Sequence, residues 1–318
     1  MFKIALLCYL ITLSFATALD EDDIFRIKTL VREGYEEDLT IPPDPSFKVS
    51  TSDINLYFYT RYNYSPIKIP THNTDLSETI HYDPSKKHVF IIHGWKCNHE
   101  SDINNKIRNA VLRKEDVNVF VVDWSKPAGG LYVLATFSVP KIGKIVGDYI
   151  NQMITLYQIP KSQFYLIGHS LGAHIAGCIG ANVQGLHSIV GLDPAGPLFT
   201  ISNTDNRLDR SDAEFVHVIH TNAKHLGFSS PIGHADYYPD GGEKQHDCGL
   251  DIFGTCSHSK SYEIYALSIY QENYVATQCD SYKNYQQHQC DENSKSLMGG
   301  FDVDRSASGQ YYLSMESN

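Results

Sequence analysis

The chain has 318 residues and a formal charge of −11, and is 42% hydrophobic, 20% charged and 12% aromatic. Charges this sparse and aromatics this frequent exclude a disordered tail protein. The net acidity argues against a protein that grips nucleic acid by neutralising phosphates, and against a polybasic hold on anionic membranes.

The first residues read as an address. Met1-Phe2-Lys3 is a positive start, residues 4–15 (IALLCYLITLSF) are mostly apolar, and Ala16-Thr17-Ala18 is a small-x-small cleavage pattern. Residues 1–18 are therefore expected to be a secretory signal peptide. A dozen apolar residues cannot cross ~30 Å of hydrocarbon as a helix. No later stretch is long or apolar enough to span either, so a secreted, extracellular protein without a transmembrane segment is expected. Residues 19–50 are acidic and contain prolines (EDD, EEDLTIPPDP). They suggest a leader or pro-segment ahead of one folded domain at 51–318, expected to be a monomer.

Strand-like runs follow at 54–60 (INLYFYT), 88–92 (HVFII), 117–122 (VNVFVV), 164–167 (FYLI), 188–192 (SIVGL) and 214–220 (EFVHVIH). Several are almost continuously apolar, as strands buried on both faces of a parallel sheet must be. Between them Ile142, Val146, Ile150, Met153 and Tyr157 recur at helical spacing up to Pro160, and Leu171, Ile175, Ile179 and Val183 form a second stripe. A helical stretch is expected at 261–273. This alternation predicts an α/β domain, a mostly parallel sheet with helices on both faces.

Cys8 leaves with the signal peptide, and Cys97, Cys178, Cys248, Cys256, Cys279 and Cys290 remain. An even number in a secreted chain points to disulfides. Spacing favours Cys248–Cys256 and Cys279–Cys290 as local clips and leaves Cys97 for Cys178. Asn63-Tyr64-Ser65 is a glycosylation sequon, weakened by Pro66 directly after it.

The chemistry begins after the run 164–167. Gly168-His169-Ser170-Leu171-Gly172 is a G-x-S-x-G between a strand and a helix, the setting a nucleophile elbow requires. A serine hydroxyl attacks only when a base takes its proton and an acid holds that base in the right tautomer. Asp193, in GLDPAGP at the end of the run 188–192, is the acid candidate, although Asp-Pro also initiates turns. The base is left open among His225, His234, His246, His258 and His288, with His258 placed in a loop (Cys256-Ser257-His258-Ser259) ahead of the helical stretch. The turn His93-Gly94-Trp95 ends the run 88–92, so the Trp95 N–H paired with that of Leu171 would form an oxyanion hole.

The stretches HVFIIHGW, VVDWS, FYLIGHSLGAH, IVGLDPAGPLF, RLDRSDAEFVHVIHT, IGHADYYPDGG and CSHSKSYEIY, in this order across residues 50–315, resemble the pancreatic-lipase family, and within it the secreted insect lipases and venom phospholipases A1. The resemblance implies an α/β-hydrolase fold, Ser170, Asp193 and His258 as the triad, and Trp95 and Leu171 as the oxyanion hole. With sixty residues after His258, no C-terminal β-sandwich domain is expected. The span matching the family's lid, Cys248 to Cys256, is short, as is the loop 222–232. In the family such short loops accompany phospholipase A1 activity, because a long lid shields an apolar cleft and a short one leaves room for a charged head group. Leu250, Ile252 and Phe253 would present an apolar tip to lipid.

Three functions are thus implied: a phospholipase A1, a triacylglycerol or galactolipid lipase with the same triad, or a non-catalytic lipid-binding or storage protein like the insect yolk proteins, which lack the serine. The partner is a phospholipid or acylglycerol surface, and no cofactor is required. Some members of the family bind calcium through a segment like RLDRSD. By that resemblance Asp209 and Asp212, with the carbonyls of Thr204 and Arg207, would hold a structural calcium ion outside the reaction.

Overall fold

A computed structural model describes residues 48–63, 65–271 and 273–315. The expected signal peptide and nearly all of the leader lie outside them. Among the described residues eleven strands form one sheet: β1 (Asn55–Tyr59), β2 (Ile67–Pro70), β3 (His88–Ile92), β4 (Asn118–Asp123), β5 (Phe164–His169), β6 (Ser188–Leu192), β7 (Val216–Ile219), β8 (Ala235–Pro239), β9 (Val275–Gln278), β10 (Lys295–Leu297) and β11 (Gly309–Leu313). Their order is β10-β9-β11-β8-β7-β6-β5-β3-β4-β1-β2. The run from β11 through β8, β7, β6, β5 and β3 to β4 is parallel throughout. β1 and β2 close one edge antiparallel, and β9 and β10 the other.

Every residue of β3, β4, β5, β6, β7 and β8 is buried. Branched and aromatic side chains fill both sides of these strands, so helices must cover both faces. The helices are α1 (Asp102–Lys114), α2 (Ser125–Ala128), α3 (Tyr132–Tyr157), α4 (Leu171–Val183), α5 (Thr255–Ser268) and α6 (Tyr282–Gln286). α3 and α4 pack almost backbone to backbone. A Cβ on Gly143 of α3 would lie 2.3 Å from the Cβ of Cys178 on α4, so only glycine permits the approach.

All six expected strands are present, but β2, β8, β9, β10 and β11 escaped the reading. β2, β9 and β10 are only three or four residues long, and β8 (ADYYP) and β11 (GQYYL) carry polar or turn-forming residues inside the run. α3 begins at Tyr132, ten residues before the periodic stripe, and continues through Pro140. α5 begins at Thr255 rather than 261, which moves His258 from a loop into the first turn of a helix.

Two disulfides form as spacing favoured, Cys248–Cys256 and Cys279–Cys290. In the chain-entropy account each stabilises the fold by about 2.5–3 kcal/mol. The third expectation fails, because Cys97 and Cys178 are free thiols. Cys178 faces Gly143 and the Asp205 carbonyl, to which its S–H donates at 3.7 Å. Cys97 lies in the loop after β3, beside the Gly94 backbone and Ser101. The sequon side chain is also engaged: Asn63 Oδ1 accepts from Thr60, and its Nδ2 donates to the Phe58 and Ser65 carbonyls at 3.1 Å each. The amide that would carry a glycan closes its own turn.

Candidate active site

Ser170 stands between β5 and α4 with φ 57° and ψ −125°. Such a conformation costs a non-glycine residue about 1–3 kcal/mol and persists only where its surroundings enforce it. The enforcement is close packing of backbone. A Cβ on Gly172 would lie 2.2 Å from the Ile92 carbonyl oxygen, and one on Gly94 would lie 2.9 Å from the Ser170 Cβ. The elbow and the loop after β3 thus touch through glycine, bringing the Gly94–Trp95 peptide beside the serine. The N–H groups of the first turn of α4, Leu171 first, open at the same point with no partner inside the helix.

The Gly94–Trp95 peptide and the His93–Gly94 peptide before it are each held by a side chain. The Gly94 carbonyl accepts the His93 Nδ1–H at 2.9 Å, and the Trp124 indole N–H donates to the His93 carbonyl at 2.8 Å. His93 Nε2 lies 3.4 Å from Asp123, and His99 Nδ1 lies 3.3 Å from the other oxygen of the same carboxylate. Burial pushes the Asp123 carboxyl up, but the adjacent His93 ring and the hydrogen bonds from Ser125 outweigh it and hold it at about 2. Trp95 is anchored by its own side chain, which donates from Nε1 to the Gly130 carbonyl at 3.0 Å and meets the Tyr132 ring edge-on.

Asp193 follows β6 and is fully buried with φ 41°. One carboxylate oxygen accepts the backbone N–H groups of Thr221 (2.8 Å) and Asn222 (3.0 Å), and the other meets His258 Nδ1 at 2.5 Å. A carboxylate only accepts, so His258 carries its proton on Nδ1 and presents the Nε2 lone pair. Of the five histidines left open by the sequence, His258 is the one paired with Asp193. His234 accepts the Val216 N–H, His246 pairs with Asp240 and His288 with Asp291, while His225 is exposed.

Three supports were not legible in the sequence. Asn222 accepts the Leu226 N–H and donates to the Glu243 carbonyl, folding the loop that supplies N–H groups to Asp193. Behind it, His220 bridges the Phe228 carbonyl and Asp236 at 2.9 Å each, entirely in the interior. Asp251 accepts the N–H groups of Cys256 (3.2 Å) and Ser257 (2.7 Å), capping the helix that carries His258. None of the three has a local sequence signature. They lie in or beside the family-like stretches HVIHT, IGHAD and CSHSK, and only the Asn222–Glu243 and His220–Asp236 partners are distant in the chain.

The short loop closed by Cys248–Cys256 exposes Leu250 (60%) and Phe253 (43%), while Ile252 is half-buried. The four residues expected around calcium lie together. Asp209 and Asp212 cap one another's turn, with Asp209 N–H donating to Asp212 at 2.7 Å, and burial raises the Asp212 carboxyl to about 7. The Arg207 guanidinium is also present, 3.3 Å from Asp209, and the Thr204 carbonyl accepts the Arg207 N–H. Two close carboxylates suit a hard cation, while the guanidinium already answers part of their charge, so the fit is partial.

Comparison with known proteins gives the same outline. The model of the family described as "Lipase" matches residues 42–318. The chain is 36% identical over 248 residues to lipase member H of Oryctolagus cuniculus, covering 75% of this chain and 54% of that one. It is 34% identical over 236 residues to the inactive pancreatic lipase-related protein 1 of Homo sapiens (67% and 50%), and 35% identical over 210 residues to phospholipase A1 member A of Bos taurus (63% and 45%). The chain thus spans about half the length of the relatives it matches. It belongs to the lipase family.

Proposed function

We propose that the protein is a secreted serine hydrolase of lipid carboxylic esters, and specifically a phospholipase A1 that removes the sn-1 acyl chain. One observation carries the reading: Asp193 fixes the His258 tautomer, beyond the C-terminal ends of the central strands β5 and β6, where the strained turn presents Ser170. Ser170 Oγ attacks the ester carbonyl while His258 Nε2 takes its proton. The N–H groups of Trp95 and Leu171 receive the charge that develops on the carbonyl oxygen. The imidazolium, balanced by Asp193, returns the proton to the departing alcohol, and water activated by His258 then releases the fatty acid.

The phospholipase reading is supported by the eight-residue separation of Cys248 and Cys256, which leaves the mouth wet enough for a charged head group, and by the phospholipase A1 among the relatives. Leu250 and Phe253 give that loop an apolar tip for a lipid surface. Among the described residues no helix is long and apolar enough to cross a membrane. Calcium, if taken up at Asp209 and Asp212, has a structural role only, read as a rise in Tm on titration with the ion.

The test is hydrolysis of sn-1-labelled phosphatidylcholine beside triolein, with Ser170→Ala as control. Release of the sn-1 chain by the wild type and none by the variant is expected. Preference for triolein replaces the phospholipase with a triacylglycerol lipase. Absence of hydrolysis and of fluorophosphonate labelling at Ser170 moves the chain to the non-catalytic class, which has an inactive relative.

A further inference from the structure

His169 is the residue before the candidate nucleophile, and its side chain is buried (6% exposed). Its ring lies against that of His258, centroids 4.4 Å apart. Its Nε2 lies 3.1 Å from the His258 carbonyl oxygen, an acceptor, so this nitrogen carries the ring proton and donates it. The same carbonyl accepts the Ser261 hydroxyl at 2.9 Å. The Tyr262 ring meets His169 edge-on at 5.1 Å and closes the far side.

We propose that His169 is a positioning residue that clamps the base twice, by packing its tilted ring against the His258 imidazole (interplanar angle 47°) and by holding the His258 backbone. This inference rests on the reading of His258 as the base. Asp193 fixes His258 at one ring nitrogen, which leaves the imidazole free to tilt about that bond. The ring packed against it limits that tilt, and the hydrogen bond to the carbonyl fixes the helical turn from which the side chain springs. Placement matters here because a shift of about 1 Å in a proton-transfer group can cost about a hundredfold in rate.

A clamp of this kind must remain neutral. If His169 took up a proton it would face the imidazolium at 258 with a like charge. The surroundings prevent this. Nδ1, the only place for a second proton, is buried without a hydrogen-bond partner among the described residues. The titratable groups that face the ring are His258 and Tyr262 from α5 and His93 from the loop after β3, and none is a carboxylate. Burial first, and then His258, hold its imidazole well below the ordinary range. The proton leaving Ser170 is thus taken by one imidazole of the pair.

Two variants separate the contacts. His169→Phe keeps a ring and loses the donor, whereas His169→Asn keeps a donor and loses the ring. Each is expected to lower kcat ten- to a hundredfold on a soluble short-chain ester, with KM within twofold of wild type. Wild-type kcat in either variant, or a change confined to KM, overturns the double clamp. A second readout on the wild-type protein needs neither activity nor a variant that folds well. Nitrogen-15 histidine spectra should show His169 as the neutral Nε2–H tautomer from pH 5.5 to 8, and titration of that ring within this range overturns the proposal. A protein that hydrolyses no ester would sink the functional reading while leaving the tautomer result standing.

Discussion

The Asp251 carboxylate accepts the Ser257 N–H at 2.7 Å, one residue before His258. The loop that would touch lipid is therefore also the cap of the helix that presents the base, and its disulfide ends inside the first turn of that helix. Such a loop cannot swing freely, because opening it would strip two N–H groups of their acceptor.

Asp251→Ala is accordingly expected to lower unfolding free energy by about 0.5–2 kcal/mol, the usual cost of a lost cap. Activity should fall further than this loss of stability explains, since the frayed turn includes His258. Thermal denaturation beside ester turnover, both at a temperature where the variant is folded, checks this. Unchanged turnover in a destabilised variant would reduce Asp251 to an ordinary cap.

The oxyanion loop offers a second test. His93 Nδ1 holds the Gly94 carbonyl, and the opposite end of that same planar peptide is the Trp95 N–H. Replacing His93 with Leu frees the plane to rotate and turns the donor away from Ser170. Loss of a direct oxyanion donor costs about 10²–10³ in kcat, so a loosened one should cost about tenfold or more, with little change in KM. Fluorophosphonate labelling of Ser170 should slow in parallel. Normal labelling would show that another contact sets the peptide.

The cysteines provide a chemical check. Because Cys97 and Cys178 stay reduced, alkylation after denaturation without reductant should mark these two and leave Cys248, Cys256, Cys279 and Cys290 unmarked by mass spectrometry. In the native protein the reaction should be slow at both, since burial raises both thiols, Cys178 to about 12. A tryptic peptide linking Cys97 to Cys178 would reverse the assignment.

What the sequence made legible is what is encoded locally. The strand, G-x-S-x-G and apolar helix at 164–183 are contiguous, and their packing needs only the glycines within and beside them. Asp193 was readable for the same reason, standing at the end of a short buried run. His258 was not readable by pattern: TCSHSKSYE has no apolar period, and its helix begins there because a disulfide and the Asp251 cap start it. Neither the failed Cys97–Cys178 pairing nor the His220–Asp236 bridge could be reached by counting residues, since both depend on how α3, α4 and the strand ends approach in space.

Acid sensitivity should come from buried imidazoles before carboxylates. His88, His174 and His217 are buried, and burial lowers them to about 3, 4 and 3. Their ordinary value is near 6.5, so between pH 6.5 and 4 the unfolded chain binds protons that the folded one refuses. Each histidine lowers stability as pH falls through that window, by up to about 1.4 kcal/mol per pH unit, while the Asp212 carboxyl, raised to about 7, takes up a proton in the folded state and offsets one of the three. Asp123, held at about 2, adds its loss only below its ordinary value near 4. Urea unfolding at pH 7, 6 and 5 should show the fall beginning near 6.5. His174→Gln has no group to titrate and should reduce the slope by about one proton even if its absolute stability is lower. A flat profile from pH 7 to 5 would show that these rings accept protons in the folded state.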